Sequence, residues 1–259
     1  HLSGNMCPVH RQEVLKEIKA RLMVGEPIKV VTTQLIEAGV DIDFPVVCRE
    51  AAGLDSMIQA AGRCNREGKL EKGRVLIFER TEDIPKGHLA RTASYGLETI
   101  RTYQSDSDAV QLPIDSPEAI EFYFRLLFSK ENLDKKDIMK KISDKPMKYP
   151  FKEIAESFKL IESGTVPIII PYDDEARTLI RDLPYAGSQA VKKLQKYTVN
   201  VYGSMEKDFA GNYPSEYQRL VDNGSIQLIN GVYPVLNYDG SDPGRFYSEE
   251  VGLLFEENM

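Results

Sequence analysis

Val14, Leu15, Ile18 and Leu22 recur at helical spacing behind Pro8 and ahead of Gly25. The first expected element is therefore a helix with one apolar stripe, opened by a proline and closed by a glycine. A β-branched run over residues 28–33 predicts a strand, and residues 44–48 a second. A helix is expected from residue 54 to about 66, and a third strand over 74–78. Strands and helices that alternate with short connections predict a parallel sheet covered by helices.

Beyond a polar stretch at 104–115 the pattern becomes helical. Ser116-Pro117-Glu118 reads as a cap, a first-turn proline and an acidic first turn. Ile120, Phe124, Leu127 and Phe128 then share one face. A Lys/Asp-rich amphipathic segment follows at 133–142, so residues 106–148 read as a helical connector. From Pro150 the pattern changes again: a strand at 166–172, helices at 174–183 and 188–195, and a strand at 197–202. Asn230-Gly231 stands between two apolar runs within 225–236, a hairpin signal. The expected organisation is α/β, with a parallel-sheet domain over 1–105, the connector over 106–148 and a small α+β domain over 149–259. The chain shows no internal repeat and no low-complexity tract.

Composition narrows the classes. The 259 residues are 42% hydrophobic and 28% charged, enough to bury a core without disulfides or metal. Cys7, Cys48 and Cys64 form no CxxC pair, so the expectation is a reduced, cytoplasmic protein without a zinc site. No apolar run reaches membrane-spanning length. The chain opens at His1 with no initiator Met, as a piece of something longer would. The net charge of −7 disfavours holding nucleic acid by bulk electrostatics. Residues 1–105 carry 15 Lys/Arg against 14 Asp/Glu, and residues 106–259 carry 18 against 26. A nucleic-acid path is therefore expected along the near-neutral first part, through local contacts.

The chemistry is concentrated between Lys29 and Gly68. The string Val31-Thr32-Thr33-Gln34-Leu35-Ile36-Glu37-Ala38-Gly39-Val40-Asp41-Ile42-Asp43 is followed by Gln59-Ala60-Ala61-Gly62-Arg63-Cys64-Asn65-Arg66. These resemble motifs V and VI of superfamily 2 helicases, in order and at a fitting separation. Gln-x-x-Gly-Arg-x-x-Arg alone arises by chance about once in 10⁵ positions, and the preceding motif makes the match specific. Phosphoryl transfer needs cations aimed at the charge that develops on the γ-phosphate. On a helix, Arg63 and Arg66 would project from one face toward a single phosphate, with Gln59 on the same face to orient water or phosphate. The alternative makes both arginines surface salt-bridge partners. Gly39 would admit a close ligand. By the motif, Asp41 would bond the nucleotide ribose, and Thr33 and Gln34 a nucleic-acid strand; Thr33 also reads as an ordinary strand residue. His1-Leu2-Ser3 with Met6, Pro8, His10 and Arg11 resembles motif IV, whose Ser3 and Arg11 would touch the strand backbone; His10 and Arg11 could equally be solvated.

The joined strings, with Phe44-Pro45, Leu54-Asp55-Ser56 and Glu67-Gly68 added, look like the CRISPR-associated helicase–nuclease of type I systems. The likeness is sharp over residues 1–80 and general beyond. It implies a RecA-like fold for the parallel-sheet domain and a motor that runs 3′ to 5′ on single-stranded DNA. It further implies ATP and Mg²⁺ bound largely by a first RecA-like domain, an N-terminal metal-dependent nuclease domain, and an RNA-guided surveillance complex as partner. The only Gly-Lys is Gly68-Lys69, followed by Leu70, so the chain has no P-loop.

Asp173-Asp174-Glu175-Ala176 resembles an acidic magnesium box but follows motif VI, and helix capping explains it better. Tyr197, Tyr202, Tyr233 and Tyr238 could stack bases, although half-buried sheet positions suit them better. The rival readings are a docking module for the surveillance complex, a restriction-type translocase, and another superfamily 2 helicase acting on RNA or duplex DNA.

Overall fold

The computed structural model describes residues 1–37, 39–80, 87–104, 113–143, 149–158, 165–185, 188–202, 216–237 and 246–255. The fold is mixed α/β with small sheets. It divides into two compact units, one made of His1–Leu35 with Ser163–Met259, the other of Ile36–Glu162.

The first unit begins with α1 (Pro8–Met23), with Pro8 in its first turn and Gly25 beyond its end at φ +72°. His10 and Ile18 are its buried residues, while Val14, Leu15 and Leu22 are half-buried. The expected strand at 28–33 does not form. Leu2 and Thr32 make a single parallel bridge, with Leu2 N donating to Val31 O at 2.9 Å and Thr33 N to Leu2 O at 3.2 Å. Val31 is 69% exposed, so no packed face rewards a longer ladder.

The second unit opens with a strand–helix–strand piece: β1 (Val46–Glu50), α2 (Leu54–Ala61) and β2 (Arg74–Phe78). The two strands pair in parallel from Val46↔Arg74 to Glu50↔Phe78. This two-stranded ladder is the parallel sheet of the unit's described residues. Two longer helices follow, α3 (His88–Gln104) and α4 (Pro117–Lys130). Ser116 caps α4 as its sequence predicts, its Oγ accepting from Ala119 N at 3.2 Å. Leu54, Met57, Tyr95 and Tyr123 form the core beneath, and Tyr123 donates to Asp55 at 3.1 Å. Within α3, Gly96 sits against the chain: a Cβ there would stand 2.2 Å from Ala52 O. Two short helices, α5 (Ile138–Ser143) and α6 (Phe151–Ser157), complete this unit.

Back in the first unit, β3 (Thr165–Ile169), α7 (Asp174–Asp182), α8 (Ser188–Leu194) and β4 (Thr198–Tyr202) precede α9 (Glu216–Asp222) and the hairpin β5 (Ile226–Ile229)–β6 (Tyr233–Leu236). The sheet order is β4-β3-β6-β5, with β3 antiparallel to β4 and parallel to β6. Asn230 and Gly231 turn the hairpin with φ of 52° and 68°. Ile168 and Ile170 of the β3 segment join one core cluster with Val199 and Leu220, whereas Ile169 joins another with Ile180 and Tyr197. An unbroken apolar run is what burial on both faces of a sheet requires. Asp173 caps α7, accepting from Ala176 N at 2.7 Å, and Tyr197 and Lys196 take up Glu175. Tyr197 is buried, Tyr233 half-buried and Tyr202 69% exposed; Tyr238 lies outside the described residues.

A last hairpin, β7 (Tyr247–Ser248) and β8 (Gly252–Leu253), ties the start of the chain to its end. Leu253 N donates to Asn5 O at 2.8 Å and Ser3 Oγ to Val251 O at 3.2 Å. Gly252 has φ +85°, and a Cβ there would lie 2.3 Å from Asn5 O. Both the backbone conformation and the approach demand glycine. Among the described residues no helix is long and apolar enough to cross a membrane.

Candidate functional site: the Gly39–Asp41 loop and the Arg63–Arg66 turn

The helix that carries Gln59 stops sooner than its sequence predicts. α2 ends at Ala61, Gly62 caps it, and Asn65 sits at φ +48°, a left-handed conformation that no helix continues through. Arg63 and Arg66 thus lie on a turn and not three apart on one helical face. Phe44 N donates to Arg63 O at 2.9 Å and Asn65 N to Phe44 O at 2.8 Å, holding this turn beside the entry to β1. Asp43 accepts from Arg66 N at 2.7 Å, and the Asn65 amide closes on Leu70 through two bonds.

The two arginines then diverge. Arg63 is buried at 9% exposure, its Nε donating to Ile36 O at 2.7 Å and a terminal nitrogen to Glu37 O at 2.9 Å. Its guanidinium fork closes on the backbone of the loop that leads to Gly39 and Asp41. Arg66 is 44% exposed at its side chain and lies 3.5 Å from Asp41, itself 76% exposed. Gly39, at φ +75°, has no atom of the described residues, its chain neighbours aside, within 4 Å of where a Cβ would stand, so its backbone is open to a ligand. Gln59 lies exposed on α2. The structure therefore brings Asp41 to Arg66, and Arg63 to the loop, without aiming both arginines at one point.

Of the expected nucleic-acid contacts, Thr33 and Gln34 are exposed, with Gln34 opening a 3₁₀ turn over Gln34–Ile36. Ser3 is buried at 4%, its hydroxyl given to Val251 O, and Arg11 is half-buried in the first turn of α1.

His10, which could have been solvated, is instead 2% exposed. Its Nε2 faces Glu249 O at 2.8 Å, an obligatory acceptor, so Nε2 carries the proton and Nδ1 accepts from the Tyr247 hydroxyl, also at 2.8 Å. Tyr247 in turn accepts from Cys7 N at 3.1 Å, and the Tyr172 ring stacks on His10 at 5.1 Å. Burial holds the His10 pKa below its ordinary 6.5. The unfolded chain then binds the proton first, so stability should fall as pH drops below about 6.5 and level off below the folded-state value. Urea titrations between pH 7.5 and 5 should show this loss reduced in His10→Gln.

The comparisons with known proteins fall on the same stretch. Residues 2–69 match the family described as CRISPR-associated nuclease/helicase Cas3, C-terminal. A Haloferax volcanii protein, CRISPR-associated nuclease/helicase Cas3, is 50% identical over 80 residues, which is 30% of this chain and 8% of the relative. A crystal structure of T. fusca Cas3–ATP matches with a TM-score of 0.48 and 14% identity, covering 91% of this chain and 32% of that one. A chain of a CRISPR RNA-guided surveillance complex, pre-nicking, matches with a TM-score of 0.43 and 12% identity, over 77% of this chain and 30% of that one. The segment with the loop and the turn is thus similar to proteins of the nuclease/helicase class. Within that class it is similar to the C-terminal region of CRISPR-associated nuclease/helicase Cas3, the family its motif strings resemble. The aligned stretch spans under a tenth of the Haloferax relative's length.

Proposed function

We propose that this chain is the second motor half, with its accessory region, of an ATP-dependent 3′–5′ single-stranded DNA translocase acting in CRISPR interference. The observation that carries this reading is the tie between the Gly39–Asp41 loop and the Arg63–Arg66 turn, inside the stretch that matches the Cas3 family. On this reading ATP lies between this half and a first RecA-like domain. Arg66 faces the γ-phosphate, Arg63 holds the turn that presents it, Gln59 orients water or phosphate, and Asp41 takes the ribose beside the open backbone of Gly39. Thr33, Gln34, Arg11 and Ser3 line the DNA side. For Ser3 this requires its hydroxyl to leave Val251. The motor half spans 1–105, the connector 106–148 and the accessory domain 149–259, a division that cuts across the two compact units. A nuclease domain and an RNA-guided surveillance complex are the partners.

Mg²⁺ would neutralise phosphate charge in such a motor. Among the described residues no cluster of His, Cys, Asp or Glu is arranged to hold a metal ion, so no residue of this chain is assigned to it. The chain alone lacks the P-loop lysine that cradles the phosphates. Purified by itself, it should hydrolyse no ATP above background, with or without single-stranded DNA. DNA-stimulated turnover that persists after contaminating ATPases are removed would overturn the reading.

A further inference from the structure

Glu37 is held at both ends. Its backbone carbonyl accepts from Arg63, as described, and its carboxylate is enclosed by two residues outside both motif strings' expected roles. Arg49, on β1, lies 3.0 Å from Glu37 Oε1, and the same nitrogen donates to Ser56 Oγ at 2.9 Å. Ser56, on α2, donates in turn to Glu37 Oε2 at 2.9 Å. The three side chains close a ring of hydrogen bonds, with Arg49 20% and Glu37 12% exposed. A strand, a helix and a loop meet at one carboxylate.

The energetics argue that this ring fixes position more than it adds stability. Withdrawing a carboxylate and a guanidinium from water costs several kcal/mol, which their attraction roughly repays, and apolar side chains of similar size often do as well. Moreover, Arg49 Nε is buried without a hydrogen-bond partner among the described residues, a further cost to the fold. What the ring does supply is geometry. Glu37 immediately precedes the Ala38-Gly39 step that leads to Asp41. It is also the residue whose carbonyl anchors Arg63, and hence the turn bearing Arg66.

Resting on the function proposed above, we infer that Arg49 and Ser56 are positioning residues of the motor. By gripping Glu37 they set the Gly39–Asp41 loop and the Arg66 turn in register with each other. Neither touches nucleotide. A displacement of about 1 Å at a reacting centre costs on the order of 10²-fold in rate, which sets the scale of the effect.

The test uses the whole motor protein, comparing Arg49→Ala, Ser56→Ala, their double variant and Arg66→Ala in DNA-stimulated ATPase. Rates are expressed per site able to bind a non-hydrolysable ATP analogue, so that misfolded protein does not count. Arg49→Ala should lower kcat roughly 10- to 100-fold and change KM for ATP much less. Ser56→Ala, which removes one hydroxyl and should not disturb folding, should lower kcat several-fold, and the double variant should be no slower than Arg49→Ala, because both belong to one ring. Arg49→Lys should recover only part of the rate, since one ammonium cannot reproduce the guanidinium's two-way reach. Normal kcat per site in Ser56→Ala and Arg49→Ala, beside an inactive Arg66→Ala, would overturn the inference and leave the function standing. A normal rate in Arg66→Ala as well would instead remove the function.

Discussion

Replacing Arg66 with alanine in the whole motor should slow ATP hydrolysis by roughly 10³- to 10⁵-fold, the range that arginine fingers contribute. Nucleotide binding should change little, because the adenine and most phosphate contacts are assigned to the other half. The structure makes the experiment clean. The Arg66 side chain is 44% exposed, and among the described residues its guanidinium pairs with Asp41 at 3.5 Å. An exposed pair of that kind contributes about 0–1 kcal/mol to stability, so alanine should leave folding intact. A large loss of rate with normal unfolding would then report a group acting on the transition state. Lysine should not rescue, since a point charge lacks the planar fork. Hydrolysis within a few-fold of normal would make Arg66 a surface residue and remove the main support for the motor reading. Stopped-flow phosphate release with single-stranded DNA, beside equilibrium binding of a fluorescent ATP analogue, measures both quantities.

What could be read from the sequence was local. The Arg74–Phe78 strand, the Ser116 cap, the Asp173 cap and the Asn230-Gly231 turn each rest on residues within a few positions of one another. Expectation and structure differ where distant partners decide. The helix expected to reach residue 66 stops at Ala61, because Asn65 pairs with Phe44 across the chain and takes a left-handed conformation. The strand expected at 28–33 shrinks to one bridge, because its β-branched residues find no covering face. α3 has little local signal: Thr92, Gly96, Thr99 and Thr102 are weak helix formers, and Gly96 is there for its closeness to Ala52. Nor does any local pattern reveal that residues 246–255 complete the environment of Ser3, Cys7 and His10, some 240 positions earlier.

The candidate site divides the same way. Residue identity and spacing marked Gly39, Asp41, Gln59, Arg63 and Arg66, and the family comparison falls on that stretch. The sequence did not separate the two arginines, since arginine is ordinarily exposed and only tertiary hydrogen bonds draw one inward. Glu37, Arg49 and Ser56 were invisible for a related reason. Arg49 and Ser56 are seven residues apart, on different elements, and reach a loop 12 and 19 positions earlier.

Arg63 should therefore fail differently from Arg66, and in this chain by itself. Its guanidinium is buried and bonded to two backbone carbonyls, Ile36 O at 2.7 Å and Glu37 O at 2.9 Å. Hydrogen bonds from a charged donor contribute about 1.5–3 kcal/mol each, and a buried carbonyl left without a partner carries its own penalty. Arg63→Ala should thus destabilise the fold by about 2–5 kcal/mol, less if water enters to satisfy the carbonyls. Arg63→Lys should recover no more than about half, because a single ammonium on a flexible stem replaces a rigid fork. Urea unfolding of the chain alone, without nucleotide or DNA, reads this directly. In that assay Arg66→Ala should lie within about 1 kcal/mol of the unchanged chain. In the whole motor both variants should lose ATPase, Arg66→Ala at full stability and Arg63→Ala together with a lowered unfolding midpoint. Equal and negligible stability effects from the two substitutions would show that Arg63 does not hold the loop. The distinction between an arginine that faces the phosphate and one that holds the turn would then have no basis.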